Sequence, residues 1–140
     1  MTTRIRTLLG SIVLLMATMA SAQTVRFTVP FSFVAGSKNL PAGNYMVALN
    51  TDSGTRGVIV LHGEGQQPIL LLVVNGKDYL AAPEHSQLVF HRYGTSFFLA
   101  ELRTEGDSTG RALATSDREK EMARNSRPDQ KIVAEARNRP

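Results

Sequence analysis

From residue 24 to residue 103 the chain runs in short stretches of alternating or continuous apolar residues, separated by glycine, proline and small polar clusters. Val25, Phe27 and Val29 alternate with Arg26 and Thr28, a period of two that predicts a strand with one apolar face. Pro30 cannot donate to a ladder, so this strand is expected at an edge or bulged there, before Phe31 and Phe33 resume the alternation. Leu40-Pro41-Ala42-Gly43 reads as a turn, and Tyr45, Val47 and Leu49 as the next strand, with Met46 and Ala48 on its opposite face. The polar cluster from Thr51 to Gly57 ends it.

Val58 to Leu61 and Ile69 to Val74 are continuous apolar runs, which predict strands buried on both faces. Asn75-Gly76 is a favourable two-residue hairpin turn, with Tyr79 and Leu80 on the returning arm and Pro83 closing it. Leu88 to Tyr93 and Phe97 to Arg103 form the next hairpin around Gly94-Thr95. With those two residues as the turn, Tyr93 meets Ser96, His91 meets Phe98 and Val89 meets Ala100. His91 then shares a face with Val89, Phe98 and Ala100, and Arg92 shares the other with Phe90 and Leu99. A one-residue slip would exchange the faces. Six to seven short antiparallel strands predict an all-β fold, a small sandwich or open barrel.

The two ends differ from this middle. Ser116 with Glu119 three residues on is a capping box, so a helix is expected from Asp117. Residues 117–140 hold seven basic and five acidic side chains, with Met122, Ile132 and Val133 as the sizeable apolar ones and Pro128 as a break. A short helix and a frayed tail are expected. At the N-terminus, Arg4 and Arg6 precede an apolar run from Leu8 to Met19, and Ala20-Ser21-Ala22 matches a signal-peptidase site. The expected organisation is a signal peptide at 1–22, an antiparallel β domain at 23–114 and a charged helical or disordered tail at 115–140. Cleavage leaves no transmembrane span and places the protein outside the cytoplasm, periplasmic or secreted.

Cleavage also changes the charge. The precursor has 16 basic and 12 acidic residues; removing Arg4 and Arg6 leaves 14 against 12, a net +2. That gives no argument for nucleic acid as a partner. The absence of cysteine excludes disulfides, thiolate metal sites and a cysteine nucleophile. The absence of tryptophan and an aromatic content of 6% weaken any reading built on stacking platforms.

Candidate chemistry is sparse. The histidines are His62, His85 and His91, and Glu84-His85 with His91 suggests a metal-dependent hydrolase, although the spacing matches no ligand signature on one element. Gly54-Thr55-Arg56-Gly57 and Gly63-Glu64-Gly65 end strands rather than open helices, so hairpin loops are expected in place of phosphate cradles. No serine lies in a strand–turn–helix elbow. Glu105 and Asp107 could offer oxygens to calcium, but their loop lacks the ordered carboxylate spacing. The tail's basic residues, Arg118 to Arg139, are nearly cancelled by interleaved acids. No catalytic, cofactor-binding or metal-binding residue is assigned, and no cofactor.

Thr28-Val29-Pro30-Phe31-Ser32-Phe33, Leu40-Pro41-Ala42-Gly43-Asn44-Tyr45 and Leu88-Val89-Phe90-His91-Arg92-Tyr93-Gly94 occur in that order. Together with Gly110-Arg111 and the charged run from Ser116 to Glu121, they resemble a group of small exported bacterial proteins of unassigned function. The resemblance implies an exported all-β domain and brings no catalytic residue with it. The leading expectation is a non-enzymatic exported β domain, a binding protein or envelope component with a protein or envelope partner. The alternatives are a binder of a small apolar ligand, with a cavity between the runs 58–61 and 69–74, and a metal-dependent hydrolase using His85 and His91.

Overall fold

The computed structural model describes residues 23–50 and 57–136; the expected signal peptide and residues 51–56 and 137–140 lie outside the described residues. Ten strands and one helix follow in order: β1 (Gln23–Val29), β2 (Phe33–Ala35), β3 (Lys38–Leu40), β4 (Gly43–Asn50), β5 (Gly57–Gly63), β6 (Ile69–Asp78), β7 (Gln87–Tyr93), β8 (Ser96–Arg103), β9 (Thr109–Leu113), α1 (Asp117–Asn125) and β10 (Gln130–Glu135). The strands make one open sheet in the order β1-β4-β5-β6-β9-β8-β2-β3, with β7 also on β8 and β10 on β7. Every pairing is antiparallel except the short contact of β2 with β8. Among the described residues an isolated bridge, Phe27 to Ala136, connects β1 to the chain just after β10.

The alternation read in the sequence sets the inner face. Phe27, Val29, Phe33, Tyr45, Val47, Ile59, Leu61, Leu71, Val73, Phe90, Leu99, Leu102 and Leu113 are buried in one cluster. Its centre is aromatic: Phe33 meets Tyr45 and Phe90 edge-on at 5.1 and 5.2 Å, and at its margin the partly buried Phe31 stacks on Phe97 at 4.1 Å. Full burial of a ring such as Phe33 or Phe90 contributes about 1.5–3 kcal/mol.

The all-β architecture with one short C-terminal helix is as expected, and the hairpin of β7 and β8 turns at Gly94-Thr95. Gly94 has φ +60°, a conformation that two-residue hairpin turns require and that glycine adopts without strain. Tyr93 faces Ser96 and His91 faces Phe98, but Val89 pairs with Glu101 rather than Ala100. Ala100 is the extra residue of a bulge, which lets Leu99 and Leu102 both reach the core.

Four expectations need correction. The strands number ten among the described residues, not six or seven, because β2, β3 and β9 are too short to stand out as periodic runs. Asn75-Gly76 is not a turn; β6 continues through it, with Asn75 opposite Ala112 and Gly76 opposite Arg111. The long-range ladder to β9 overrides local turn preference, and the irregularity falls at Val74, between the Val73 and Asn75 pairings. The runs 58–61 and 69–74 are buried on one face only: Leu71 and Val73 point to the core while Leu70, Leu72 and Val74 are exposed. Finally, the chain after α1 is not frayed over 130–135, because β10 pairs with β7 along its length and Ala134 joins the core. The β domain therefore extends past residue 114.

Candidate functional site

Two places on the outer surface of the sheet combine unusual features. The first lies under α1. Ser116 caps this helix as the sequence predicts, its hydroxyl accepting from the Glu119 amide at 3.1 Å. The Glu119 carboxylate does not complete the capping box. It turns to the sheet, where Oε1 lies 2.7 Å from His91 Nδ1 and accepts a hydrogen bond from the Tyr93 hydroxyl at 3.2 Å. Glu119 is 4% exposed as a residue, while the His91 side chain keeps 30% exposure. Burial, and after it the neighbouring carboxylate, pushes the Tyr93 phenol above its ordinary pKa. Beside this cluster Met122 packs on Val34, Tyr93 and Phe98, and Arg118 donates to Asn39 of β3 at 2.8 Å.

The carboxylate that meets His91 is thus Glu119 from the helix, in place of Glu84 with His85. Glu84 and His85 lie in the bend before β7. No group of three or more His, Asp or Glu side chains is gathered as a metal would require among the described residues. The His91–Glu119–Tyr93 cluster holds the helix on the sheet. Asp107 is likewise engaged within the protein, its oxygens accepting from the Thr109 amide at 2.9 Å and from Arg111 at 3.0 Å. The Thr109 hydrogen bond, with help from Arg111, holds its carboxyl below the ordinary range.

Glu101, within β8, is a second buried carboxylate. Its two oxygens accept from the Tyr79 hydroxyl at 2.7 and 2.8 Å, and the Arg103 guanidinium lies 3.8 Å from the centre of that ring. Gly110 leaves room for it, since a methyl at that position would fall on Glu101 Oε1. Burial and the carboxylate push the Tyr79 phenol up. No spacing rule links residues 79, 101 and 110; only the pairing of β8 with β9 and the path after β6 bring them together.

The second place is the outer face of β4, β5 and β6. Register sets Ala48, Val60 and Leu70 in one row, Asn50, Val58 and Leu72 in the next, and Met46 beside His62. Leu70 is 70% exposed, Leu72 63%, Val74 46% and Met46 36%. Two open hollows border this surface. One of about 340 Å³ is lined by Arg26, Asn44, Met46, His62 and Glu64, among others. A second of about 540 Å³ lies along Gly57, Val58 and Leu72 to Val74. Another, of about 180 Å³, lies between Gly36, Leu70 to Leu72, Leu99 and Leu113 and is lined in part by core side chains. The runs 58–61 and 69–74, between which a cavity was expected, are directly paired as β5 and β6, Val60 with Leu70 and Val58 with Leu72. These hollows are open to solvent. No helix among the described residues is long and apolar enough to cross a membrane. No family model, no curated protein and no solved structure matches this chain.

Proposed function

We propose that this protein is an exported, non-enzymatic β domain of the periplasm or cell surroundings that acts by contact, through the outer face of β4, β5 and β6. The observation that carries the reading is the pair Leu70 and Leu72, adjacent large apolar side chains left mostly in water on a regular sheet. Contiguous apolar surface of this kind, rimmed by polar residues, marks interaction sites. Export is supported by the leader-like pattern ending at Ala20-Ser21-Ala22. Catalysis has little support: the buried carboxylates Glu119 and Glu101 are each bonded to groups of the fold itself.

The experiment is fractionation of cells expressing the full chain, with N-terminal sequencing of the recovered protein and of a Leu70→Lys/Leu72→Lys variant. The expected result is a protein outside the cytoplasm that begins at Gln23. Its co-fractionation with envelope material should be lost in the variant, whose circular dichroism stays unchanged. An intact Met1 in the cytoplasm, or co-fractionation indifferent to the two lysines, overturns the reading.

A further inference from the structure

We infer that Asn75-Gly76 is a modification site: a deamidation site kept unreactive by the pairing of β6 with β9 and released when that ladder opens. Two observations carry it, the chemistry of the dipeptide and its place at the weakly held end of β6. It stands independently of what the outer face of the sheet contacts.

Asparagine is among the thermally labile residues. A glycine after it has no Cβ to obstruct its own backbone nitrogen. Asn75 and Gly76 are both exposed, so water reaches them. The Gly76 nitrogen, giving its proton to solvent, attacks the side-chain carbonyl carbon of Asn75. A C–N bond forms there, the bond to the side-chain nitrogen breaks, and ammonia departs to leave a five-membered succinimide. Water then adds to one of the two ring carbonyls and opens the ring, giving aspartate or isoaspartate. Ring closure needs a backbone torsion at Asn75 outside the extended range. The antiparallel pairings of Asn75 with Ala112 and Gly76 with Arg111 hold the chain within that range. The ladder therefore guards the site.

The guard is thin. The ladder with β5 ends at Val73, so among the described residues β9 is the one strand beside Asn75 and Gly76. β9 in turn holds to β8 through two pairings, Glu101 with Ala112 and Leu102 with Arg111, and the register of β6 is irregular at Val74. Tyr79 closes this end. Its amide donates to the Ser108 carbonyl at 2.9 Å, and its hydroxyl to both oxygens of the buried Glu101 at 2.7 and 2.8 Å. A strand end with few flanking bonds opens locally, at less cost than global unfolding. Either product puts a carboxylate where a neutral amide stood, and isoaspartate adds one carbon to the backbone of β6. That carbon displaces the pairings beyond Asn75, so an opening once fixed in this way is not reversed.

The test is peptide mapping by mass spectrometry of the purified protein, incubated in mildly alkaline buffer with and without denaturing urea. Conversion is read from the amide-to-acid mass change at Asn75, with isoaspartate as a separate chromatographic peak of the same mass. Tyr79→Phe removes the hydroxyl that closes the end of the ladder, and Glu119→Ala loosens α1 instead, far from it. The expected result is conversion at least about tenfold faster in urea than in the native protein. Tyr79→Phe should raise the native rate several-fold and leave the rate in urea unchanged, while Glu119→Ala leaves both at the wild-type level. No conversion in urea overturns the inference, because the dipeptide is then unreactive. Equal rates with and without urea overturn it as well, because the ladder then guards nothing. A native rate indifferent to Tyr79→Phe, or raised equally by Glu119→Ala, also overturns it, since reaction then does not follow the local opening of β6 from β9.

Discussion

Glu119 serves two structures at once. Its amide completes the Ser116 cap, and its carboxylate, sealed beneath α1, accepts from Tyr93 and bonds His91. A carboxylate so placed is stabilising only while its partners remain, because an unsatisfied buried polar group costs about 1–3 kcal/mol. Glu119→Ala strands both His91 Nδ1 and the Tyr93 hydroxyl and removes a polar fastening of the helix. It is expected to cost about 1–3 kcal/mol in chemical denaturation. Glu119→Gln, which keeps an acceptor at nearly the same place, should cost less. His91→Gln, whose partner Glu119 retains Tyr93, should fall between about 0.5 and 3 kcal/mol. Equal losses for Glu119→Ala and Glu119→Gln would show that the charge, and not the hydrogen bonding, holds the cluster. The residue's sequence signal was its spacing from Ser116, which speaks only to the cap. That a strand 28 positions earlier would place a histidine under it is a property of the sheet order.

At the scale of elements, β10 is the instructive case. Read along the sequence, residues 126–140 look like solvated tail, with charges of both signs and only Ile132 and Val133 as sizeable apolar residues. In the fold, that β-branched pair sits within a strand whose backbone runs opposite Phe90 and Val89, with Ala134 in the core. Truncation after Asn125 therefore strips the outer partner from β7 and opens the core beside Phe90. A clear drop in melting temperature is expected, several degrees or more, since 1 kcal/mol moves a domain of this size by roughly 4 °C. An unchanged melting temperature would mean that β10 adds nothing to the cooperative unit. The elements legible beforehand share one trait: their signal is local. The hairpin at Gly94, the helix start at Ser116 and the apolar face of β1 depend on residues within a few positions of each other. What was not legible depends on distant pairings. Asn75-Gly76 reads as a turn until β9 arrives to continue the ladder, and the doubly apolar runs read as buried until the helix is seen to cover β7 and β8 instead of β5 and β6.

Across the whole molecule the sheet is wound almost into a barrel but stays open between β1 and β10. Phe27 and Ala136 make one bridge there, while the next contact of the chain, from the Ala136 amide, goes back to the Ser86 carbonyl at 2.7 Å. β1 is held by β4 through the register from Gln23–Leu49 to Val29–Gly43, and β10 by β7, so among the described residues each side of the opening has one full ladder. By contrast β8 is hydrogen-bonded to β7 on one side and to β9 and β2 in succession on the other. Strands with a single ladder open with less free energy than strands flanked on both sides, because fewer backbone bonds and less apolar contact are lost. Amide hydrogen exchange should therefore rank the strands. The amides of β1 and β10 are expected to exchange at least about tenfold faster than those of β8 around Phe98 and Leu99, through partial opening instead of global unfolding. The difference should narrow as denaturant rises and global unfolding takes over. Equal protection of β1, β10 and β8 in the absence of denaturant would show that the single Phe27–Ala136 bridge suffices to close the structure into one cooperative barrel.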